Sequence, residues 1–102
     1  MPTATPKPGA AGELALPRPQ IRPATVTNVA IVYVTNELQG PMTVSFRGQS
    51  AIVKQGDTWR VELEEGVYGI FASTNVPSPI AYSGKELLLS GYEYSWVLRR
   101  PE

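Results

Sequence analysis

A chain of 102 residues with nine basic and nine acidic side chains carries no net charge, so it lacks the basic field that phosphate-driven nucleic-acid binding needs. It contains neither histidine nor cysteine. That excludes disulfides, thiolate metal sites and the conventional Ser/His/Asp and Cys/His arrangements of nucleophilic catalysis. No apolar run approaches the roughly 18 residues of a membrane helix, so no direct membrane insertion is expected.

Six of the ten prolines lie in the first 23 residues. Proline lacks an amide donor and fixes φ, and the residue before it is pushed toward extended conformations. Residues 1–23 therefore predict a disordered or extended Pro/Thr-rich linker, and residues 24–102 predict one domain. Lys7, Arg18 and Arg22 against Glu13 make the leader +2 and leave −2 for the remainder. Its one apolar island, Glu13-Leu14-Ala15-Leu16, is too short for an independent helix. The island reads either as a patch of linker or as a segment that docks on an edge strand. Met1 is followed at once by prolines and threonines, without the basic and apolar stretches of a signal peptide. Either the protein stays inside the cell or the chain is a segment of a longer parent, and the second is favoured because Pro/Thr-rich spacers join parts.

From residue 26 the pattern becomes that of strands. Residues 26–35 (VTNVAIVYVT) are rich in β-branched side chains on both alternating sets, as in a strand covered on two faces or shared between sheets. Residues 36–41 read as a turn. Met42, Val44 and Phe46 alternate with Thr43, Ser45 and Arg47 as a half-buried strand. A turn at residues 47–49 leads to a short strand at 50–54, and Gln55-Gly56-Asp57 reads as a tight hairpin. Trp59, Val61 and Leu63 form one face of the next strand. After the Glu64-Glu65-Gly66 turn, Tyr68, Ile70 and Ala72 alternate with Val67, Gly69, Phe71 and Ser73. Residues 75–79 hold Val-Pro-Ser-Pro, which cannot enter a central strand. A brief pairing at 80–82, a strand at 85–90, a turn at Gly91 and a last strand at 92–99 complete the chain. That last strand carries Tyr92, Tyr94, Trp96 and Leu98 on one face. About seven strands at this spacing predict a single all-β, antiparallel β-sandwich. Its strand order is either immunoglobulin-like or transthyretin-like.

The run Leu63-Glu-Glu-Gly-Val-Tyr68-Gly-Ile-Phe-Ala72 resembles the L-x-x-G-x-Y-x-I-x-A hairpin of small extracellular sandwiches of transthyretin-like, carboxypeptidase-regulatory-like and PEGA type. In those families the glycine makes the turn and the tyrosine seeds the core, places held here by Gly66 and Tyr68. Glu64-Glu65 departs from the Pro-Pro or Pro-Gly common there. The resemblance covers about a fifth of the chain and implies an accessory module, without enzymatic activity, in a secreted or cell-envelope protein.

The side chains able to carry chemistry are few. Lys54 and Lys85 stand beside polar turns, where a lysine is solvated and cannot activate a serine. Glu62 and Glu64 share a face at a strand end, and with Glu65 they read as a charged hairpin tip that discourages edge pairing. A glycosidase would need two carboxyls across a cleft. Neither spacing nor glycine pattern matches a Ca²⁺ loop, so no metal or other cofactor is expected. Aromatics are the remaining ligand candidates. Trp59, Tyr68, Tyr94 and Trp96 fall on inward faces, whereas Tyr82, after the proline loop, and Phe71, opposite Tyr68 and Ile70, are the expected exposed contact residues. The Arg99-Arg100 pair reads as a solubilising strand end. The function expected is a non-catalytic structural or interaction module displayed on a spacer, extracellular or in the cell envelope. Its partner would be a protein or other domains of the parent; the alternative is a carbohydrate-binding module for polysaccharide.

Overall fold

Alternation of buried and exposed side chains produces nine strands in the computed structural model, which describes residues 13–74 and 80–99. They are β1 (Glu13–Ala15), β2 (Gln20–Pro23), β3 (Ala30–Asn36), β4 (Met42–Phe46), β5 (Gln49–Val53), β6 (Thr58–Leu63), β7 (Gly66–Thr74), β8 (Ile80–Leu88) and β9 (Tyr92–Leu98). The proline loop at 75–79, Arg100 and the leader up to residue 12 lie outside the described residues. The class is all-β, with no helix among the described residues.

A five-stranded sheet runs β1-β8-β7-β4-β5 and a four-stranded sheet runs β2-β9-β3-β6. Their inner faces share one core, which includes Val32, Val34, Met42, Val44, Ile70, Trp96 and Leu98. Each fully buried aliphatic side chain contributes about 1.5–3 kcal/mol. The inward faces read from the alternation of β4, β6 and β7 are buried as expected, except that Trp59 is half-covered and leans on Phe46 at 5.7 Å between ring centroids. Tyr92, at the start of β9, is exposed.

The sheets are mixed, which corrects the antiparallel expectation. β3 pairs in parallel with β9, and β1 in parallel with β8. The reason is counting: from β3 onward the chain reverses at every connection, so strands separated by six reversals run the same way. The strand count also rises from about seven to nine. The interrupted pattern at residues 80–90 is one strand, β8, and the leader supplies β1 and β2.

Two turns that read as hairpins are instead crossings between sheets. β5 and β6 belong to different sheets, as do β6 and β7. At Gln55-Gly56-Asp57 the local chemistry is that of a turn, with Gly56 at φ 86° and the Asp57 amide donating to the Lys54 carbonyl at 3.0 Å. What sends the chain across is Asn36, fully buried at the end of β3. Its amide N–H donates to the Asp57 carbonyl and its own carbonyl accepts from Gly56 N–H. Its side-chain Nδ2 donates to the carbonyls of Val53 (2.8 Å) and Gly40 (2.9 Å), while Oδ1 accepts from Leu38 N–H. One side chain thus ties together the ends of β3 and β5 and the loop before β4.

The other crossing is closed by Tyr68. Its buried ring accepts the Arg47 guanidinium at 4.7 Å, and its hydroxyl donates to the Glu64 carbonyl at 2.7 Å. The alternation along β7 places this tyrosine on the inward face, and there it lies. Tyr68→Phe is expected to cost about 1 kcal/mol, the net value of one such bond, measured by urea unfolding with unchanged m-value.

The boundary expected at Ala24 falls inside the sheets. β1 extends the edge at β8 and β2 extends the edge at β9, so residues 13–23 form a strap that keeps one direction while passing from one sheet to the other. Its prolines suit this path. Pro17 and Pro19 occupy the passage, where no ladder amide is needed, and Pro23 closes an edge strand. The apolar island does the docking: Leu14 and Leu16 pack on the core, and Leu16 N–H donates to the Ser83 carbonyl at 2.9 Å. The Trp96 indole N–H donates to the Pro17 carbonyl at 2.7 Å. Gly84 makes room for this, since a Cβ there would stand 2.9 Å from the Leu16 Cβ.

Candidate interaction surface

The two sheets turn very different outer faces to solvent. Because side chains alternate along a strand, the outer face of the four-stranded sheet is formed by alternate residues of β2, β9, β3 and β6. There Arg22 lies across from Glu93, Ile31 sits between Glu93 and Glu62, and Tyr33 lies across from Arg60. Arg60 bonds Glu62 at 3.1 Å in an exposed ion pair. Hydrogen bonding with Tyr33, and then with Glu62, raises the Arg60 pKa above its ordinary value. The face is largely polar, with Val97 as its one large exposed apolar side chain.

The outer face of the five-stranded sheet is built otherwise. Phe71, 43% exposed, stands in β7 between Ser83 of β8 and Ser45 of β4. Val67 and Leu87 are a cross-strand pair, both about half exposed, and Ile52 lies on β5 across from Thr43. Lys85 is across from Gly69. The missing side chain at Gly69 leaves a shallow depression of about 360 Å³ beside Phe71, bounded by Ile70, Ser83, Gly84 and Lys85. Four large exposed apolar side chains, Ile52, Val67, Phe71 and Leu87, thus lie on this face, against Val97 on the other, and this face carries Lys85 where the other carries Arg22, Arg60, Glu62 and Glu93.

Of the two contact residues expected from sequence, Phe71 is exposed and central to the apolar face. Tyr82 is not exposed. It is 5% accessible, in the core with Ile80 and Leu88, and its hydroxyl donates to the Arg99 carbonyl. The correction has a simple cause. β8 continues unbroken from Ile80 to Leu88, so residues 80, 82 and 88 share the inward face. A second hollow, of about 440 Å³, opens where the strap meets β8 and β9 and is lined by Leu14, Ala15, Pro17, Tyr82, Val97 and Arg99. Tyr82 forms part of its wall. Arg99 is ion-paired with Glu37 at 3.1 Å.

The carboxylates do not converge on a cleft. Glu62 is engaged by Arg60, Glu65 accepts from Ser90 N–H at 3.0 Å, and neither Glu62 nor Glu64 lines either hollow. Lys54 and Lys85 are exposed. Among the described residues no group of three His, Cys, Asp or Glu side chains is placed to hold a metal ion. Val67, Leu87 and Ile52 were missed from sequence as surface residues. Their signal was available in β7, where Val67 and Phe71 share the parity opposite Tyr68 and Ile70.

No family model, curated protein or solved structure matches the chain.

Proposed function

We propose that the chain is a non-catalytic interaction module whose contact surface is the outer face of the five-stranded sheet around Phe71. The observation that carries this is the asymmetry of the two faces: Ile52, Val67, Phe71 and Leu87 are exposed on one, whereas the other exposes Val97 alone of the large apolar residues beside the Arg60–Glu62 ion pair. Exposed apolar groups gathered on one face mark a protein contact. The partner is a protein or a neighbouring domain of a longer parent. Placement in a secreted or cell-envelope protein is supported by the Leu63–Ala72 resemblance and by the Pro/Thr-rich start of the leader.

The finer fold reading favours the transthyretin-like alternative. If β3 to β9 are taken as seven consecutive strands, an immunoglobulin constant-type order would pair the first with the second. Here the first, β3, pairs with the fourth and the seventh.

A photo-crosslinking residue at position 71, in the parent cell, is expected to give a defined adduct, and the same residue at position 60 on the opposite sheet none. Equal labelling at both positions would overturn the reading. Phe71→Ser should abolish partner binding while changing stability by no more than about 0.5 kcal/mol, as for other surface substitutions.

The depression beside Phe71 supports a second reading, a polysaccharide site in which one sugar ring lies over Gly69 against the Phe71 ring. Titration with a polysaccharide panel, followed at the amides of Gly69 and Lys85, decides it; unmoved resonances exclude it.

A further inference from the structure

Every sheet edge is a row of unpaired amides and carbonyls, and a protein that stays monomeric blunts each one with brevity, charge or proline. Three of the four edges here are blunted. β1 is three residues long and runs into Pro17, β2 carries Arg22 and ends at Pro23, and β6 carries Arg60 and Glu62. β5 is different. It forms the far edge of the five-stranded sheet, and its sequence Gln49-Ser-Ala-Ile-Val53 contains neither charge nor proline. Ile52, in this strand, is 72% accessible and the most exposed of the large apolar residues.

We propose that β5 is a self-association edge, pairing antiparallel with β5 of a second copy about a two-fold axis at Ile52. The proposal rests on the reading of the chain as an interaction module; it shares Ile52 with the apolar face but uses the backbone edge of β5, which Phe71 does not reach. A two-fold axis makes any edge complementary to itself, because the same residues meet in reverse order. Centring it on Ile52 places the two isoleucines directly opposite each other, so the pair covers the apolar side chain that the monomer leaves in water. The same register sets Ala51 across from Val53, and Ser50 across from Lys54. No like charges oppose. Centring on Ala51 instead would set each Ile52 against a serine. Pairing at Ile52 continues the five-stranded sheet into one of ten strands and consumes the only unguarded edge among the described residues.

A pairing of two five-residue strands buries less than the roughly 1,200 Å² of a stable interface. The association is therefore weak, with Kd on the order of 100 μM. Sedimentation equilibrium of the full chain from about 10 μM to about 1 mM is expected to show a reversible monomer–dimer equilibrium at this strength. Ile52→Lys places two ammonium groups on the axis and should weaken it at least about tenfold. Its fold should be intact, because the native side chain points into solvent; far-UV circular dichroism checks that. Phe71→Ser should dimerise as the parent does, so the edge and the apolar face are tested separately. Because the chain has no cysteine, Ser50→Cys accepts a single spin label. In the proposed register the two Ser50 Cα atoms stand about 14 Å apart, from four residues of strand rise and one strand spacing. A strict monomer at the highest concentration overturns the proposal. So does a dimer that survives Ile52→Lys, or labels separated by far more than that distance allows.

Discussion

Asn36→Asp is expected to destabilise the fold by about 3–5 kcal/mol near neutral pH, the cost of an uncompensated buried charge. The substitution keeps shape and volume, so packing is not what it tests. It replaces the Nδ2 donor, which serves the carbonyls of Val53 and Gly40, with an oxygen that faces both with a lone pair. Leu38 N–H can still be accepted, but two acceptors lose their donor in a site with no measurable solvent access. Stability of a domain this size is about 5–10 kcal/mol, so the variant should be partly unfolded or close to it. The sign of the pH dependence follows from the same contacts. A buried carboxyl beside two carbonyls has its folded pKa raised above the unfolded value, so the charged form is the one penalised. The defect is present in full at high pH and shrinks as the carboxyl protonates, when its O–H can serve one of the carbonyls. Urea unfolding of variant and parent at about pH 7 and about pH 4 should show the difference narrowing at the lower pH. A difference that is constant, or widens, would mean that Asn36 does not hold the crossing through its amide.

Gly84→Ala is expected to lift the strap. The added methyl would stand 2.9 Å from the Leu16 Cβ, and the backbone nitrogen of Leu16 is close behind at 3.8 Å. The neighbour is the root of a side chain, not its flexible tip, so the strap itself must move. Overpacking of this kind costs about 1–3 kcal/mol. Two signals report it locally: faster exchange of the Leu16 amide, which donates to Ser83, and a shifted Trp96 indole N–H resonance, whose acceptor is Pro17. Leu16→Gly removes the clash from the other side. The double variant should therefore be less damaged than the two single losses added together, by about 1–2 kcal/mol. Strict additivity, with both signals unmoved in Gly84→Ala, would show that Leu16 does not occupy the Gly84 notch.

These two positions also show where reading the sequence stops. Strand existence was legible because alternation is local: Met42, Val44 and Phe46, or Tyr68, Ile70 and Ala72, declare an inner face without reference to any other strand. Phe71 could be placed outside by the same parity. Sheet membership was not legible. Gly56 and Gly66 mark chain reversals, but a reversal can return to the same sheet or cross to the other. The choice at Gly56 is made by Asn36, some twenty residues earlier, which itself read as part of a turn. Tyr82 reads as exposed because it follows the proline loop in a segment that promises only a brief pairing, whereas β8 continues through Gly84, the glycine that admits Leu16. The strap was read as spacer because proline is as suitable at a passage between sheets as in a free chain. Composition cannot tell the two apart; only the acceptor needed by Trp96 and the notch at Gly84 can.

The parallel pairing of β3 with β9 determines how the chain would carry load. In a parallel pair the start of one strand lies beside the start of the other, here Ile31 beside Glu93 and Asn36 beside Leu98. Tension applied to the beginning of β3 and the end of β9 acts at opposite ends of the ladder, so its rungs are sheared together. The strap meets the same force differently. β2 is antiparallel to β9, with Gln20 beside Ser95 and Pro23 beside Tyr92, so tension enters at one end and parts the rungs one at a time. The arrangement is a zipper in series with a clamp, yielding first at the strap and resisting at the strand behind it.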